Sequence, residues 1–469
     1  MLRRFTRRKQ SPRVLVIGLD CAAPQLIFDQ FHDDLPVLSS LMQQGTYGIL
    51  RSSIPCITVP AWTSMLSSRD PGSLGIYGFR NRRDYSYDNL YVADNQAVQT
   101  HRIWDIIGQH DKQSLVFNVP QTYPIKPLNG QLVSGFLTPG TETQFAYPAI
   151  LRQKILKQFP DYQFDVRGFR TMQRAKLLEQ LYTLTDMQYT LFQQTLASES
   201  WDFAMHMNIG TDRLHHAFWR YHDPEHRLYE PDNSFKTAIR DYYVQVDTWL
   251  GKILATVPDE TAVLVVSDHG VKRMDGAIAI NEWLWRDGWL SLKEAPITGQ
   301  ITAFDPDNVN WSQTRAWSTG GYYGRIFLNV QGREPQGTIP PEDYETVRNE
   351  LAAALKAIPG ANGDALNTTV YKPENIYQQV NGIAPDLMVY FGELHWRTVG
   401  SLGYGRHYTL ENDTGADDAN HAPEGLFILH APAKPGRGEI SARQLMDIAP
   451  TILDLLQLSI PDDMQGQRI

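Results

Sequence analysis

Cysteine is nearly absent: the chain of 469 residues carries two, Cys21 and Cys56. That excludes a disulfide-stapled scaffold and fits a reducing compartment. Long apolar runs are missing too, and none approaches the roughly 18 residues a membrane span needs. The start, Met1 to Lys9, is basic but lacks an apolar segment of the secretory kind. The expectation is a cytoplasmic protein with residues 1–10 as a basic tail. An excess of positive charge is also lacking. Against 43 Lys and Arg stand 52 Asp and Glu, a formal net charge of −9, which argues against a stable nucleic-acid partner held through its phosphates. No internal repeat or low-complexity tract is visible. What remains, 42% hydrophobic and 20% charged residues, is an ordinary globular composition, long enough for a large core.

Three apolar runs each lead to an aspartate. Val14–Leu19 ends on Asp20, Phe203–Ile209 leads to Asp212, and Ala262–Ser267 ends on Asp268 and His269. Short β-branched runs bounded by Gly and Asp read as buried strands of a parallel sheet. In an open α/β sheet, functional groups gather beyond the carboxyl ends of the strands. Three strands therefore bring three carboxylates to one edge, an arrangement that repulsion forbids unless cations sit among them.

Between these runs the pattern alternates helix and strand. A helix over Leu35–Met42 closes at Gly45, and strands fit Tyr47–Ser52, Ser114–Val119 and Gln131–Phe136. A short helix over 60–68 opens at Pro60, a favoured first-turn residue. Residues 148–200 and 234–256 have helical apolar spacing. From about 292 to 420 the composition shifts to Gly, Asn, Asp and Pro. The alternation predicts an α/β fold with a mostly parallel central sheet and helices on both faces. Its core spans 11–291 and 421–469, with 292–420 as an inserted cap.

Asp212 and His216 stand four apart, on one face of any helix beginning there. His215 is a weaker candidate whose plainer reading is an outer-layer or solvent-facing histidine. A carboxylate with an imidazole, as in Asp268-His269, suits zinc or manganese better than calcium, and Gly270 permits the turn that lets neighbours converge. Thr58 precedes the Pro60 helix, where it is either an N-cap or a nucleophile stabilised by the helix terminus. The acidic loop Asp413–Asn420 lacks calcium-ligand spacing. Lys272, beyond Asp268-His269, and Arg406 in the cap are candidates for phosphate contacts.

In one order stand Gly18-Leu19-Asp20, Thr58-Val59-Pro60-Ala61-Trp62-Thr63-Ser64, Asp212 with His216, Ser267-Asp268-His269-Gly270 and His421-Ala422-Pro423-Glu424-Gly425. That order resembles the alkaline phosphatase superfamily, and within it the type I phosphodiesterase/nucleotide pyrophosphatase branch. The resemblance implies an alkaline-phosphatase-like sandwich and two divalent metal ions, zinc or alternatively manganese. Asp20, Thr58, Asp268 and His269 would surround one, and Asp212, His216 and His421 the other. It implies a small phosphorylated substrate, attacked by Thr58 to give a phospho-threonine that water releases. Two cations about 4 Å apart activate a nucleophile on one side and stabilise the leaving oxygen on the other. The family's usual glycine after the first aspartate is Cys21 here. Its phosphoryl-binding asparagine, some twenty residues past the nucleophile, falls nearest Phe79, so Arg80 or Asn81 is expected to substitute. Rival readings on the same scaffold are a cofactor-independent phosphomutase and a non-catalytic, metal-stabilised binding protein. The region Cys56-Ile57-Thr58-Val59-Pro60 is not the pattern that sulfatases convert to formylglycine.

Overall fold

The computed structural model describes residues 12–469; the basic tail expected over 1–10 lies outside them. Every residue of Val14–Leu19, Ser114–Val119, Phe203–Asn208 and Ala262–Val266 is buried. Strands covered on both faces need apolar side chains on both, which is why these runs are continuous and do not alternate. With Gly130–Ser134 they form five parallel neighbours in a ten-stranded sheet. Their order is Ala262–Val266, Val14–Leu19, Phe203–Asn208, Ser114–Val119, Gly130–Ser134. The late strand Glu424–His430 runs antiparallel between Ala262–Val266 and the early strand Thr46–Arg51.

One set of helices, Pro36–Gln44, Arg174–Ser198, Gly210–His222 and Ala238–Leu254, packs together. A second set, Thr58–Ser67, Ile103–Gln109 and Ile448–Leu455, packs as a separate layer, giving the α/β sandwich. A separate apolar cluster gathers around Trp317, Ile326, Leu328, Leu351 and Val389. There four antiparallel strands, Ala316–Ser318, Gly324–Leu328, Leu387–Tyr390 and Thr369–Tyr371, carry the helix Tyr344–Lys356. Among the described residues no helix is long and apolar enough to cross a membrane.

Two local expectations change. The helix read from Pro60 begins at Thr58, with Ile57 as its N-cap and no side-chain cap. Gly270 does not supply a left-handed turn: it opens the strand Gly270–Arg273, and a Cβ there would lie 2.2 Å from the Glu424 carbonyl oxygen. Close approach of two backbones, not turn geometry, requires the glycine.

Candidate metal centre and active site

Register brings the aspartates together. Leu19 pairs with Asn208 and Gly18 with Val266, so Asp20 and Asp268 leave their strands at one level, and the turn into Gly210–His222 lifts Asp212 beside them. All three are buried. Trp62 Nε1 donates to Asp20 Oδ2 at 2.7 Å, and the Cys21 amide donates to Asp268 Oδ1 at 3.2 Å. Cys21 adopts a left-handed φ of 63°, a conformation that costs a side chain about 1–2 kcal/mol, and in return its N–H is aimed at Asp268. Its thiol donates to the Gly270 carbonyl, and burial pushes its pKa well up; it is a packed, protonated group.

One oxygen of each aspartate, Asp20 Oδ1, Asp212 Oδ1 and Asp268 Oδ2, accepts no hydrogen bond among the described residues. Buried acceptors of this kind cost free energy unless something binds them. Burial, then the charge of Asp212, raises Asp20 well above the usual carboxylate range; burial and Asp20 do the same to Asp268. Asp212 is low despite burial, because His216 and Arg213 face it.

Three imidazoles turn Nε2 toward these oxygens. His216 Nδ1 lies 2.7 Å from Asp417 Oδ1, His421 Nδ1 lies 2.9 Å from the Cys56 carbonyl, and His269 Nδ1 lies 3.1 Å from the Gly270 carbonyl. Only an N–H satisfies those acceptors, so in each neutral ring the lone pair sits on Nε2. His216 Nε2 is 3.3 Å from Asp212 Oδ1, His421 Nε2 is 3.6 Å from the same oxygen, and His269 Nε2 is 3.2 Å from Asp268 Oδ2 and 3.7 Å from Asp20 Oδ1. Two triplets have mutually close ligand atoms, all within 4.8 Å: Asp212, His216 and His421, and Asp20, Asp212 and His269. Asp212 thus stands between the two groups, and Asp268 flanks the second. Burial keeps His269 down at about 4, and burial with the charge of His269 keeps His421 well down. His216 is held up at about 9, since Asp417 and Asp212 outweigh its burial. The donor set, carboxylate oxygens with neutral imidazole nitrogens, fits a zinc-like divalent ion.

Thr58 lies at the rim, buried, with Oγ1 3.3 Å from His269 Nε2. Its hydroxyl is not engaged as a cap, so the capping alternative fails. His215 stays out of the cluster: its Nε2 meets the Tyr243 hydroxyl at 3.2 Å, and burial lowers it to about 3.

Sequence reasoning missed the outer layer. Asp417 binds His216, and also takes Arg170 Nε at 2.9 Å and the Tyr322 hydroxyl at 2.9 Å. The Tyr322 ring stacks on His216 and tilts over His421 at a centroid distance of 4.7 Å. Arg213 Nη1 donates to Asp212 Oδ2 at 2.6 Å while its other nitrogens grip Asp165. A signal existed for Asp417 alone: a carboxylate four residues before His421 in an acidic loop.

The four expected substrate contacts are not brought into the cluster. Asn81 spends both ends of its amide locally, accepting from the Tyr77 amide and donating to the Gly78 carbonyl. Lys272 Nζ donates to the Glu393 carbonyl, Arg406 lies over the Tyr408 ring, and the Arg80 side chain is exposed. Phe79 packs against Phe136.

A profile of the type I phosphodiesterase / nucleotide pyrophosphatase family matches residues 14–417. Among solved structures, human ectonucleotide pyrophosphatase / phosphodiesterase 5 is 13% identical over 96% of each chain, with a TM-score of 0.55. The murine protein of that name, as an inactive variant in complex with AMP, is 13% identical over 97% of each chain at 0.55. Phosphonoacetate hydrolase from Sinorhizobium meliloti 1021, in complex with phosphonoformate, is 14% identical over 95% of each at 0.61. At these identities the likeness is one of fold. No curated protein sequence matches the chain.

Proposed function

The chain belongs to the type I phosphodiesterase / nucleotide pyrophosphatase family of divalent-metal-dependent phosphoester hydrolases, and on that premise we propose that it cleaves small phosphate esters through Thr58. The observation that carries this reading is the convergence of three unpartnered, buried carboxylate oxygens and three Nε2 atoms beside a threonine hydroxyl free of capping duty. Asp20, Asp268, His269 and Thr58 would hold one cation, Asp212, His216 and His421 the other, with Asp212 close to both. Zinc suits the donors, and manganese is the alternative. When bound, the pair supplies Lewis-acid polarisation and lowers the cost of deprotonating a nearby hydroxyl.

The chain's own groups do the rest. The first turn of the Thr58–Ser67 helix holds Thr58 Oγ1 beside His269 Nε2, and the surrounding burial excludes bulk water. Oγ1 attacks phosphorus: the Oγ–P bond forms, the P–O bond to the leaving alcohol breaks, and that alcohol takes a proton. Water then splits Oγ–P, releasing phosphate or its remaining monoester and restoring the hydroxyl. The family's phosphodiesterase description and the AMP bound by the murine neighbour are the reasons to test a diester and a monoester. The two cysteines, free and buried, agree with a cytoplasmic setting.

The test is turnover of 4-nitrophenyl phosphate and bis(4-nitrophenyl) phosphate by metal-replete protein in Zn²⁺ and Mn²⁺. Thr58→Ala is expected to abolish turnover while retaining about two metals per chain. Unchanged turnover removes Thr58 as nucleophile, and protein without metal after replete purification defeats the reading.

A further inference from the structure

Arg325 is a cation without a counter-ion. It is the second residue of Gly324–Leu328, and among the described residues its guanidinium bonds only to backbone carbonyls. Nη1 donates to Arg80 O at 2.8 Å, Nη2 to Gly320 O at 3.1 Å and Nε to the same oxygen at 3.3 Å. A guanidinium has five N–H donors; these three bonds leave two without a protein acceptor among the described residues. Other arginines around the cluster, buried or half-buried, are neutralised: Arg170 by Asp417, Arg174 and Arg220 by Asp418, Arg213 by Asp165 and Asp212. Among the described residues no carboxylate lies within ion-pair distance of Arg325. The charged group that acts on it is a second cation, Arg80, and burial together with Arg80 lowers its pKa against the opposing pull of Tyr323.

The space beside the guanidinium is left open by two glycines. A Cβ on Gly78 would lie 3.8 Å from Nη1, and one on Gly321 would lie 3.8 Å from Nη2, with nothing closer than 3.6 Å to either. Both loops also border the active site. Gly321 precedes Tyr322, whose ring covers His216 and His421. Gly78 precedes Phe79, which joins Val59 in one apolar cluster, next to Thr58 in sequence. An uncompensated cation with spare donors, in an open notch at the rim of a phosphoryl-transfer site, is built to receive an anion.

We propose that Arg325, with Arg80, forms a subsite for a second anionic group of the substrate. The substrate class is then a phosphate ester, anhydride or phosphonate that carries a further phosphate or carboxylate. This rests on the function proposed above, with the reacting phosphoryl group at Thr58 and the second acid in the notch between Gly78 and Gly321.

The experiment uses full-length, zinc-loaded protein and calorimetric binding. The probes are methylphosphonate, α,ω-bisphosphonates separated by one to six methylenes, and the matching ω-carboxyalkylphosphonates. The quantity read is the ratio of each two-acid affinity to that of methylphosphonate, taken within each protein. For at least one spacer length the wild type is expected to gain about ten- to a hundredfold, the scale of a charge-assisted contact. Arg325→Gln should collapse that ratio to near unity, and Arg325→Lys should keep part of it. Gly78→Val, which fills the notch and keeps the cation, should collapse it too. The carboxylate and phosphonate series show which acid is preferred. A ratio that survives Arg325→Gln at every spacer, or the absence of any gain in the wild type, overturns the subsite. Failure of methylphosphonate to bind, together with absent aryl ester turnover, overturns the parent reading instead.

Discussion

Replacing Asp417 by asparagine separates orientation from charge at His216. The carboxylate is buried and serves His216 Nδ1 at 2.7 Å, Arg170 Nε at 2.9 Å and the Tyr322 hydroxyl at 2.9 Å. Asparagine keeps the shape and one carbonyl oxygen, so His216 retains an acceptor while the charge is lost. Two effects then oppose one another. Loss of a carboxylate behind a ligating imidazole weakens metal binding about ten- to a hundredfold, or about 1–3 kcal/mol. Against this, metal-free His216 is held up at about 9, so at pH 7 an incoming cation displaces a proton at a cost of about 3 kcal/mol. Asparagine removes part of that proton competition. The penalty should therefore be small near pH 6.5 and grow as pH rises through about 9, reaching its full size above that pH, where His216 is neutral in both proteins. The same shift fixes the stability sign. A folded pKa raised above the unfolded one stabilises the metal-free protein fully below about pH 6.5, and that contribution is lost as pH rises through about 9. The assay is Zn²⁺ titration of metal-free protein against a competing chelator at pH 6.5, 7.5 and 8.5, with released protons and melting temperature recorded alongside. The wild type should release more protons per metal than Asp417→Asn. A penalty identical at every pH, or none at pH 8.5, refutes this account of Asp417.

Two further outcomes are expected. His216→Ala should cost one of the two metals, whereas His215→Ala should keep both, because His215 Nε2 meets the Tyr243 hydroxyl and not the cluster; elemental analysis in the reverse order would reassign the ligand. Gly18→Ala should destabilise the protein by about 1–3 kcal/mol through overpacking, since its Cβ would lie 2.5 Å from Trp62 Cη2. As Trp62 recoils it should release Asp20 and weaken metal binding, and unchanged denaturant unfolding would show that the ring has room to move.

The strand ends were legible because burial on both faces leaves a plain signature, an apolar run that stops at a polar residue. Asp20, Asp212 and Asp268 followed from that alone, and the helix after Ile209 put Asp212 and His216 on one face as their spacing required. His421 needed the resemblance, since nothing near it in sequence announces a ligand. The start of the Thr58 helix was misplaced because Pro60 tolerates any first-turn position, and Thr58 occupies the first residue under an Ile57 cap. Tyr322 and Asp165 were invisible for a different reason: each reaches the site from a distant element, through contacts that no local pattern encodes, whereas Arg213 stands next to Asp212 on the same helix without a spacing that marks it. Arg80, Asn81 and Lys272 were chosen by nearness in sequence to motifs, and Arg406 by its place in the expected cap. For Asn81 nearness did not place the amide at the cluster, because it closes its own loop at Tyr77–Asn81.

The antiparallel strand Glu424–His430, lodged between Thr46–Arg51 and Ala262–Val266, sets a timetable for biogenesis. A growing chain can align Val14–Leu19, Phe203–Asn208 and Ala262–Val266 early, yet Thr46–Arg51 has no place beside Glu424–His430 until residues about 380 positions later emerge, since Thr46 pairs with Leu429 and Arg51 with Glu424. Pairings of such separation form late in folding. His421 lies just ahead of that strand, on Ala419–Ala422, so the third imidazole arrives with it. The proposed ligand set is thereby tied to the last part of the sheet to assemble: a chain that has not yet placed Glu424–His430 lacks one of its three imidazoles beside Asp212.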